Sequence, residues 1–330
     1  MRLPDKSIDR FKTVVSVDSM SSAAMCNTPH ISVCVCTYKR PLPLKRLLTE
    51  LNLQDTGGLF TYSIVVADND REQSAESVVI ENCLTSKIPV KYCIEPRQSI
   101  ALARNMVLEN AEGKFVALID DDEFPAEEWL LTLFKTCNEY KADGVLGPVK
   151  RHFDEVPPAW ILKSQFYYRR SYPTGMRVDW REARTGNVLL RREILIGDAP
   201  PFRPEFRAGE DQDFFKRKIE EGRVFIWSED AVVFEVVPPG RWKRMYLVKK
   251  ALFRGATSGL QLNSGAAGIT KSMIAVPLYA VALPFALLFG QHHFMTLLVK
   301  LCDHSGKLLI LIGINPIRDQ YVTDSSGKKR

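Results

Sequence analysis

The sequence lacks the paired cysteines that a disulfide framework or a structural zinc site requires. Its seven cysteines are an odd number, and none of them forms a Cys-x-x-Cys pair. Cys34 and Cys36 alternate within a run that is typical of a strand. This usage indicates small buried hydrophobic side chains in a reducing compartment and argues against a disulfide-linked secreted domain.

The chain also lacks the patterns of a nucleic-acid-binding protein. Its formal net charge of +6 is modest for 330 residues, and no RNP, zinc-finger or basic-helix pattern accompanies it, so we expect no nucleic-acid partner. Residues 1–30 are polar and aperiodic, without the basic-then-apolar order of a secretory signal, and we expect a disordered tail there. Hydrophobic residues make up 45% of the chain, which is enough for one large domain or two smaller ones.

What the sequence does contain is a series of apolar strand patterns separated by helical ones. Strands are predicted at 31–37, 62–67, 89–94, 115–119 and 144–149, a return strand at 185–191, and two short strands at 224–227 and 231–234. Ser99 is a plausible N-cap for one of the intervening helices. Strands that alternate with helices at this spacing predict an α/β fold with a mostly parallel, Rossmann-like sheet flanked by helices.

The most informative stretch is a short apolar strand that ends in four consecutive acids, Asp120, Asp121, Asp122 and Glu123. In an open α/β sheet, ligands bind at the C-terminal ends of the strands. Four adjacent carboxylates repel one another unless a cation or several donors neutralise them, and Mg²⁺ or Mn²⁺ carrying a phosphorylated ligand is a natural solution. The alternative is a solvated acidic turn that caps the helix predicted around 129–140, which starts near the stretch 125–129.

The C-terminal part of the chain has a different character. Residues 241–254 have the pattern of a basic amphipathic helix, and residues 273–290 carry no charge at all. The second stretch barely reaches the roughly 17 to 25 residues that span a bilayer, and Pro277 and Pro284 would kink it. Charges interrupt the next apolar stretch, 294–314. We expect helices that attach to membrane lipids, interfacial or re-entrant; the alternative is a buried helical hairpin.

Five motifs, taken together and in this order, resemble glycosyltransferase family 2, whose members have the GT-A fold. They are Thr37-Tyr38-Lys39-Arg40-Pro41, Asp68, Ala103-Arg104-Asn105, Asp120-Asp121-Asp122 and Gly209-Glu210-Asp211. Further segments, among them 144–148 and 186–191, are similar to the bacterial exopolysaccharide (succinoglycan) glucosyltransferases of that family. The Gln-x-x-Arg-Trp motif of the processive synthases is absent; only Gly240-Arg241-Trp242 partly matches it.

The resemblance implies a domain organisation. It places a GT-A domain at 31–240, divided into a nucleotide-binding half at 31–150 and an acceptor half at 151–240. The segment 241–330 would then form the membrane-associated helical region.

The resemblance also implies a nucleotide site. Asp68 would accept a hydrogen bond from the base of a UDP-sugar, and Thr37, Tyr38 and Arg40 would frame the nucleotide. Arg104 would face either the nucleotide or the acidic cluster. From the residues alone, an aspartate such as Asp68 is equally typical of an Asx turn that closes a strand.

Among the four acids, the resemblance matches Asp120 to the residue that contacts ribose and Asp122 to the ligand of the divalent metal. Four consecutive acids can be aligned with the family's D-x-D motif in more than one way, so the roles of Asp121 and Glu123 stay ambiguous. Of these two, we assign Asp121 to the nucleotide site. The metal would compensate the charge of the departing diphosphate.

Asp211 matches the residue that acts as the general base toward the acceptor hydroxyl. One base without a protein nucleophile implies inversion at the anomeric carbon. The alternative for Glu210 and Asp211 is favourable negative charge at a helix N-terminus. Asp213 is a weaker candidate for the base, and Asn187 either lines the site or is a structural amide.

These expectations add up to transfer of a sugar, glucose by the family branch, from a UDP-sugar to a saccharide acceptor. The acceptor would be an oligosaccharide on a polyprenyl diphosphate, at the cytoplasmic face of the inner membrane. Two other classes compete. A sugar-phosphate nucleotidyltransferase usually opens with a Gly-rich loop, which is absent after the first strand, and a non-catalytic scaffold is disfavoured by the intact Asp122 and Asp211.

Overall fold

A computed structural model gives the structure of the chain and describes residues 11–12, 28–197, 199–206, 209–260 and 266–316. The chain forms two compact units. The first comprises Met1–Lys150 and Arg169–Glu235, and the second comprises Arg151–Tyr168 and Val236–Arg330. Of the predicted disordered tail, residues 1–10 and 13–27 lie outside the described residues, and 11–12 form a short strand.

The strands in chain order are β1 (Phe11–Lys12), β2 (His30–Thr37), β3 (Thr61–Asp68), β4 (Val90–Ile94), β5 (Phe115–Asp120), β6 (Glu123–Pro125), β7 (Gly144–Leu146), β8 (Val149–His152), β9 (Asn187–Arg191), β10 (Phe225–Trp227) and β11 (Val233–Val236). The α-helices are α1 (Pro41–Leu51), α2 (Glu76–Thr85), α3 (Ile100–Glu109), α4 (Trp129–Glu139), α5 (Ala159–Lys163), α6 (Glu210–Glu220), α7 (Arg244–Leu260), α8 (Ala266–Ala286) and α9 (Gln291–Leu311).

The first unit is built on an eight-stranded sheet with the order β1-β4-β3-β2-β5-β9-β7-β10. The four neighbours β4, β3, β2 and β5 are parallel, as are β7 and β10. The inner strands are apolar on both faces because helices cover both sides of the sheet. The predicted α/β fold class, with a mostly parallel sheet flanked by helices, is confirmed.

Helices pack on both faces of the sheet. Leucines of α1 and α4, with Val79 of α2, join the core on one face. Met106 and Val107 of α3 and two phenylalanines of α6 join the core on the other. Side chains alternate along each strand, so Val33 and Val35 belong to the first core and Cys34 to the second. This three-layer arrangement fixes the C-terminal strand ends in one rigid row.

The return strand β9 has a particular consequence for the site. It is antiparallel to both β5 and β7, and its first residue, Asn187, lies opposite Ile119. The chain therefore enters β9 at the edge of the sheet where the parallel strands end. Gly186, which precedes β9, lies beside the acidic end of β5.

One predicted boundary is corrected. The strand predicted at 144–149 is divided into β7 and β8, because Pro148 has no N–H with which to continue the ladder. Helix α4 begins at Trp129, within the stretch 125–129 where a helix start was predicted, and Pro125 closes β6. Strand β6 pairs with β11 in a small three-stranded sheet that has the order β6-β11-β8.

Both edges of the large sheet are covered. β1 pairs antiparallel with β4 at one edge. At the other edge, the main chain of residues 175–178 bonds to β10: Trp227 N donates to Met176 O at 2.8 Å, and Val178 N donates to Phe225 O at 2.9 Å. A bridge between Arg177 and Ile226 completes this contact.

The cysteines behave as buried apolar residues. The six in the described part of the chain are all free, and three of them are fully buried. Burial raises the pKa of the thiols of Cys93 and Cys137 to about 11 each. No disulfide framework forms among the described residues, as predicted.

The second unit is helical and has its own apolar core, to which Ile161 and Tyr167 contribute together with Leu247 of α7 and Met295 of α9. Residues 151–168, expected in the acceptor half, belong to this unit for that reason. The predicted basic helix is α7, which begins at Arg244, later than predicted.

Helices α7 and α9 lie close together because glycines face backbone at their contact. A Cβ at Gly255 would lie 2.0 Å from the carbonyl oxygen of Asp303, and one at Gly306 would lie 2.4 Å from that of Leu252. Arg254 Nε also donates to Asp303 Oδ1 at 2.9 Å. Two basic residues of the segment 241–254, which we expected to contact membrane lipids, are instead engaged within this unit. Arg254 is paired with Asp303, and Arg241 is only 5% exposed.

Helix α8 with the turn after it, Ala267–Phe289, is long and apolar enough to cross a membrane, by length and composition. It is the one such helix in the described ranges; its mean hydropathy is 2.1, and 17% of its most apolar window is buried.

Candidate active site

The structure brings the ends of β2, β3 and β5 to one edge of the sheet. Thr37 pairs in register with Asp68, and Cys36 pairs with Asp120. The polar residues that follow these strands are therefore neighbours, as expected for the ligand-binding edge of an α/β sheet.

Asp121 is held by the loop after β2. Thr37 Oγ1 donates to Asp121 Oδ2 at 2.8 Å, and Arg40 Nη1 donates to Asp121 Oδ1 at 2.9 Å and to Asp122 Oδ2 at 3.2 Å. Asp121 is only 4% exposed. Burial raises its pKa to about 6, against the opposing charge of Arg40. The acidic run is therefore not a solvated turn.

The turn that carries Arg40 has an unusual backbone. Lys39 has a φ of +54°, in the left-handed region that few residues other than glycine adopt. Its ammonium group lies 5.4 Å from the centre of the half-buried Tyr38 ring. Such strained residues persist where the surroundings hold them, and here the ion pairs of Arg40 with Asp121 and Asp122 do so.

Asp68 is completely buried, and the protein itself supplies its donors. They are the Tyr92 hydroxyl and the Ala75 amide, both at 2.8 Å, and the Asp70 amide at 3.0 Å. Burial raises the pKa of Asp68, and these three hydrogen bonds oppose that rise. The contacts are those of the Asx-turn alternative, and the proposed role toward a nucleotide base stays a prediction. Sequence reasoning missed Tyr92, since nothing local marks it as a partner of Asp68.

Glu123 is 2% exposed, and its carboxylate lies next to that of Asp120. A Cβ at Gly186 would lie 2.8 and 3.0 Å from the two carboxylate oxygens of Glu123 and 3.1 Å from Asp120 Oδ2. Glu123 Oε2 accepts from the Asp120 amide at 3.2 Å, whereas Oε1 has no hydrogen-bond partner among the described residues. Burial, and then the charge of Asp120, raise the pKa of Glu123 well above its usual range.

Arg169 and Glu235 extend this cluster, and sequence reasoning missed both. Glu235 lies opposite Glu123 in the pairing of β6 with β11. Arg169 Nη2 donates to Glu235 Oε2 at 2.7 Å, and its charge opposes the raised pKa values of Glu123 and Asp120. Arg169 lies in an aperiodic segment that carries no signal of this role.

Arg104 of α3 and Glu210 of α6 form a buried ion pair between helices that are distant in sequence. Arg104 is 8% and Glu210 4% exposed, and Arg104 Nη2 lies 3.8 Å from Asp120 Oδ1. Burial disfavours the charge of Arg104, but Glu210 and Asp120 outweigh this effect and raise its pKa. In this structure Arg104 contacts the acidic cluster, one of its two predicted partners.

Asp211 follows Glu210 in the first turn of α6, after Gly209 with a φ of +83°. It is half-buried, and its Oδ1 accepts from the Gln212 amide at 2.8 Å. Asp213 differs, because Arg217 binds it at 2.9 Å and Arg203 at 3.4 Å. Within the described ranges Asp211 forms no ion pair, and its role as the general base stays a prediction.

Asn187 is a structural amide. Its Oδ1 accepts from Trp129 Nε1 at 2.8 Å, and its Nδ2 donates to the carbonyls of Pro148 at 3.0 Å and Ala231 at 2.7 Å. All of its hydrogen-bonding groups are engaged within the fold. Its predicted alternative as a site-lining residue is not supported by these contacts.

The acidic edge, which is the C-terminal end of β5 with Asp120, Asp121, Asp122 and Glu123, suits a metal that is shared with phosphate. The described residues contain no group of three His, Cys, Asp or Glu side chains that would form an all-protein metal site. Mg²⁺ and Mn²⁺ bound to phosphates need only one or two carboxylates. Asp122, with the adjacent Asp121, supplies carboxylate oxygens at this end of β5, and Glu123 adds a carboxyl oxygen that has no hydrogen-bond partner among the described residues.

A Rossmann-like sheet with an acidic motif at the end of β5 and an acidic pair opening a later helix defines the GT-A class of glycosyltransferases. The chain belongs to glycosyl transferase family 2, whose sequence profile matches residues 32–196. It is therefore a glycosyltransferase.

Several relatives support this assignment. The chain is 34% identical to the succinoglycan biosynthesis protein ExoM of Rhizobium meliloti over 74% of this chain and 79% of that protein. It is 30% identical over 34% of its length to the GalNAc(5)-diNAcBac-PP-undecaprenol beta-1,3-glucosyltransferase of Campylobacter jejuni, 35% of which is covered. The mannosyltransferase PcManGT of Pyrobaculum calidifontis, solved with GDP-Man and Mn²⁺, shares the fold, with a TM-score of 0.56 and 18% identity over 86% of this chain and 88% of that one.

Proposed function

We propose that this glycosyltransferase moves a sugar from a UDP-sugar to the hydroxyl of a saccharide acceptor with inversion at the anomeric carbon. Glucose is the proposed sugar. The observation that carries the proposal is the position of Asp211, in the first turn of α6 beside the ion pair of Glu210 with Arg104. Similarity to an exopolysaccharide biosynthesis protein supports the choice of reaction.

The proposed mechanism uses one base. Asp211 takes the proton of the acceptor hydroxyl while that oxygen forms a bond to the anomeric carbon. The bond between the anomeric carbon and the diphosphate breaks, and UDP leaves with the electron pair. Attack from the face opposite the diphosphate inverts the configuration, so an α-linked donor gives a β-linked product.

The acidic edge would bind the donor. Asp122 would hold Mg²⁺ or Mn²⁺, whose bound charge compensates that of the departing diphosphate. Asp120 would contact the ribose. Thr37, Tyr38 and Arg40, with Asp68 and Asp121, would frame the nucleotide, and Arg40 would exchange part of its contact with the acids for contact with the donor.

We further propose a lipid-linked acceptor at the cytoplasmic face of the inner membrane. The Campylobacter relative is named for an undecaprenol-linked acceptor. Helix α8 exposes a long apolar surface in the second unit, and α7 carries basic residues in its first two turns. A membrane-attached enzyme would meet a polyprenyl-diphosphate acceptor where that acceptor resides.

The test is release of UDP from a panel of UDP-sugars with Mg²⁺, Mn²⁺ or EDTA, followed by transfer to a lipid-linked saccharide. Asp211→Asn should abolish transfer with an unchanged circular dichroism spectrum. Asp213→Asn, two residues further on and held in ion pairs, is the matched control and should retain activity. Transfer that survives Asp211→Asn would refute the assignment of the base. If the intact chain transferred no sugar from any donor, a scaffolding role would be favoured.

A further inference from the structure

The second unit presents a continuous apolar surface along the outer side of α8. Five residues in a helical stripe, Ile274, Leu278, Val281, Phe285 and Leu288, are between 61% and 81% exposed. The opposite side of the helix, where Ser272 and Ala286 lie, is buried. An apolar face this long is unusual on the surface of a monomer and marks a binding surface.

The exposed apolar residues lie at both ends of the hairpin that α8 forms with α9. At the turn between the helices, Leu287 and Phe289 are 57% and 73% exposed. At the other end, Ile312 and Ile314, which follow α9, are 71% and 52% exposed. A hairpin that inserts tip first would be apolar at its tip alone, whereas exposure at both ends suits a hairpin that lies along a flat apolar boundary.

Charge on α9 argues against a hairpin that crosses a bilayer. Lys300 is exposed and lies nine residues after Gln291, about 14 Å along the helix. The hydrocarbon core is about 30 Å thick, so α9 alongside a spanning α8 would place this ammonium group near its centre. The polar run Gln291, His292 and His293 would also have to pass through the core.

We propose that α8 lies in the plane of the membrane and inserts its outer face into one leaflet, so that the chain does not cross the bilayer. This inference rests on the membrane attachment proposed above and adds its geometry. The occupant is lipid because residues 272–290 carry no charge, and Lys271, at the N-terminal end of the stripe, suits an anionic headgroup. The structure places α9 behind α8, with Ser272 Oγ and His304 Nδ1 3.0 Å apart on the buried side.

The first experiment is flotation of the full chain with vesicles of phosphatidylcholine and phosphatidylglycerol. Val281→Asp combined with Leu288→Asp should reduce the vesicle-bound fraction by at least about tenfold, because two charges would enter the apolar layer. Leu84→Asp on α2 is the matched control, since Leu84 is 82% exposed and Leu288 is 81% exposed. Binding that is unchanged by the double substitution would overturn the proposal.

The second experiment separates in-plane binding from crossing. Single cysteines are placed at Lys271, before the apolar stripe of α8, and at Gln291, the first residue of α9. They are treated with a membrane-impermeant maleimide outside vesicles to which the protein was added, and the labelled peptides are identified by mass spectrometry. Labelling of both positions supports in-plane binding. Protection of the Gln291 position with labelling at Lys271 shows crossing and overturns it.

Two further outcomes are distinguishable. If the intact chain does not float but transfers sugar, the proposed attachment fails while the proposed reaction stands. If the chain forms a dimer without lipid, and the double substitution makes it a monomer, the apolar face binds a second copy and the inference is wrong.

Discussion

Removal of the Arg104 guanidinium should strongly destabilise the first unit. Arg104→Met keeps the aliphatic stem and leaves the Glu210 carboxylate, 4% exposed, without its ion-pair partner. Loss of one partner of a buried ion pair costs about 3–5 kcal/mol of unfolding free energy. The guanidinium also lies 5.5 Å from the centre of the Phe202 ring, a cation–π contact that the variant loses.

The loss should depend on pH with a definite sign. Burial raises the pKa of Glu210 above its ordinary value of 4.5, and Arg104 opposes that rise. Without Arg104 the folded-state pKa rises further above the unfolded one, so ionised Glu210 costs more stability. The stability that a raised pKa provides is present at low pH and is lost as pH rises through the folded-state value. The difference between wild type and Arg104→Met should therefore be large at pH 8 and smaller near pH 5.

Urea unfolding, followed by fluorescence at both pH values, measures this difference. The control is Arg181→Met, which removes an exposed arginine whose side chain is 66% exposed and paired with Asp179; such pairs contribute about 0–1 kcal/mol. The double variant Arg104→Met/Glu210→Gln should recover part of the loss because the buried charge of Glu210 is removed together with its partner, although Asp120 still loses the nearby Arg104. Equal destabilisation by Arg104→Met and Arg181→Met, or a deficit that grows toward pH 5, would refute this reasoning.

Three further predictions concern the acidic edge and its support. Gly186→Ala should lower stability by about 1–3 kcal/mol and impair transfer, because its methyl group would lie 2.8 Å from a carboxylate oxygen of Glu123; a fully active variant with unchanged melting temperature would contradict this. Asn187→Ala should lower the melting temperature, since the Trp129 indole N–H loses its acceptor at a cost of about 1–3 kcal/mol; Asn138→Ala, on the surface of α4, is the comparison. EDTA should abolish UDP release and Mn²⁺ should restore it; undiminished release in EDTA would exclude the proposed metal.

The fold was largely predictable because its signals are local. Apolar runs such as 115–119 indicate buried strands. Because these strands alternate with helices, the rules for connections between parallel strands allow only a few arrangements of the sheet. Strand β9 matches the return strand predicted at 185–191, whereas its antiparallel pairing with β5 and β7 was not predicted. The division of 144–149 follows from Pro148, which has no N–H to donate to a strand ladder.

The site was predictable only in part. The acids at 120–123 are adjacent in sequence, so their position at a strand end could be inferred. The partners of these acids could not be inferred, since Arg104 and Glu210 lie 106 residues apart and Glu235 reaches Glu123 through the pairing of β11 with β6. Which of several arginines neutralises which carboxylate is decided by packing, and one sequence does not encode it in a local pattern.

The covered edges of the large sheet bear on how the protein resists aggregation. An exposed edge strand offers unpaired N–H and C=O groups to any other strand, including one from a second molecule. Here β4 is shielded by only the two residues of β1, and β10 by residues 175–178. Trimming the first twelve residues would uncover β4, so such a shortened chain should keep its active-site edge and yet precipitate more readily during refolding than the full chain.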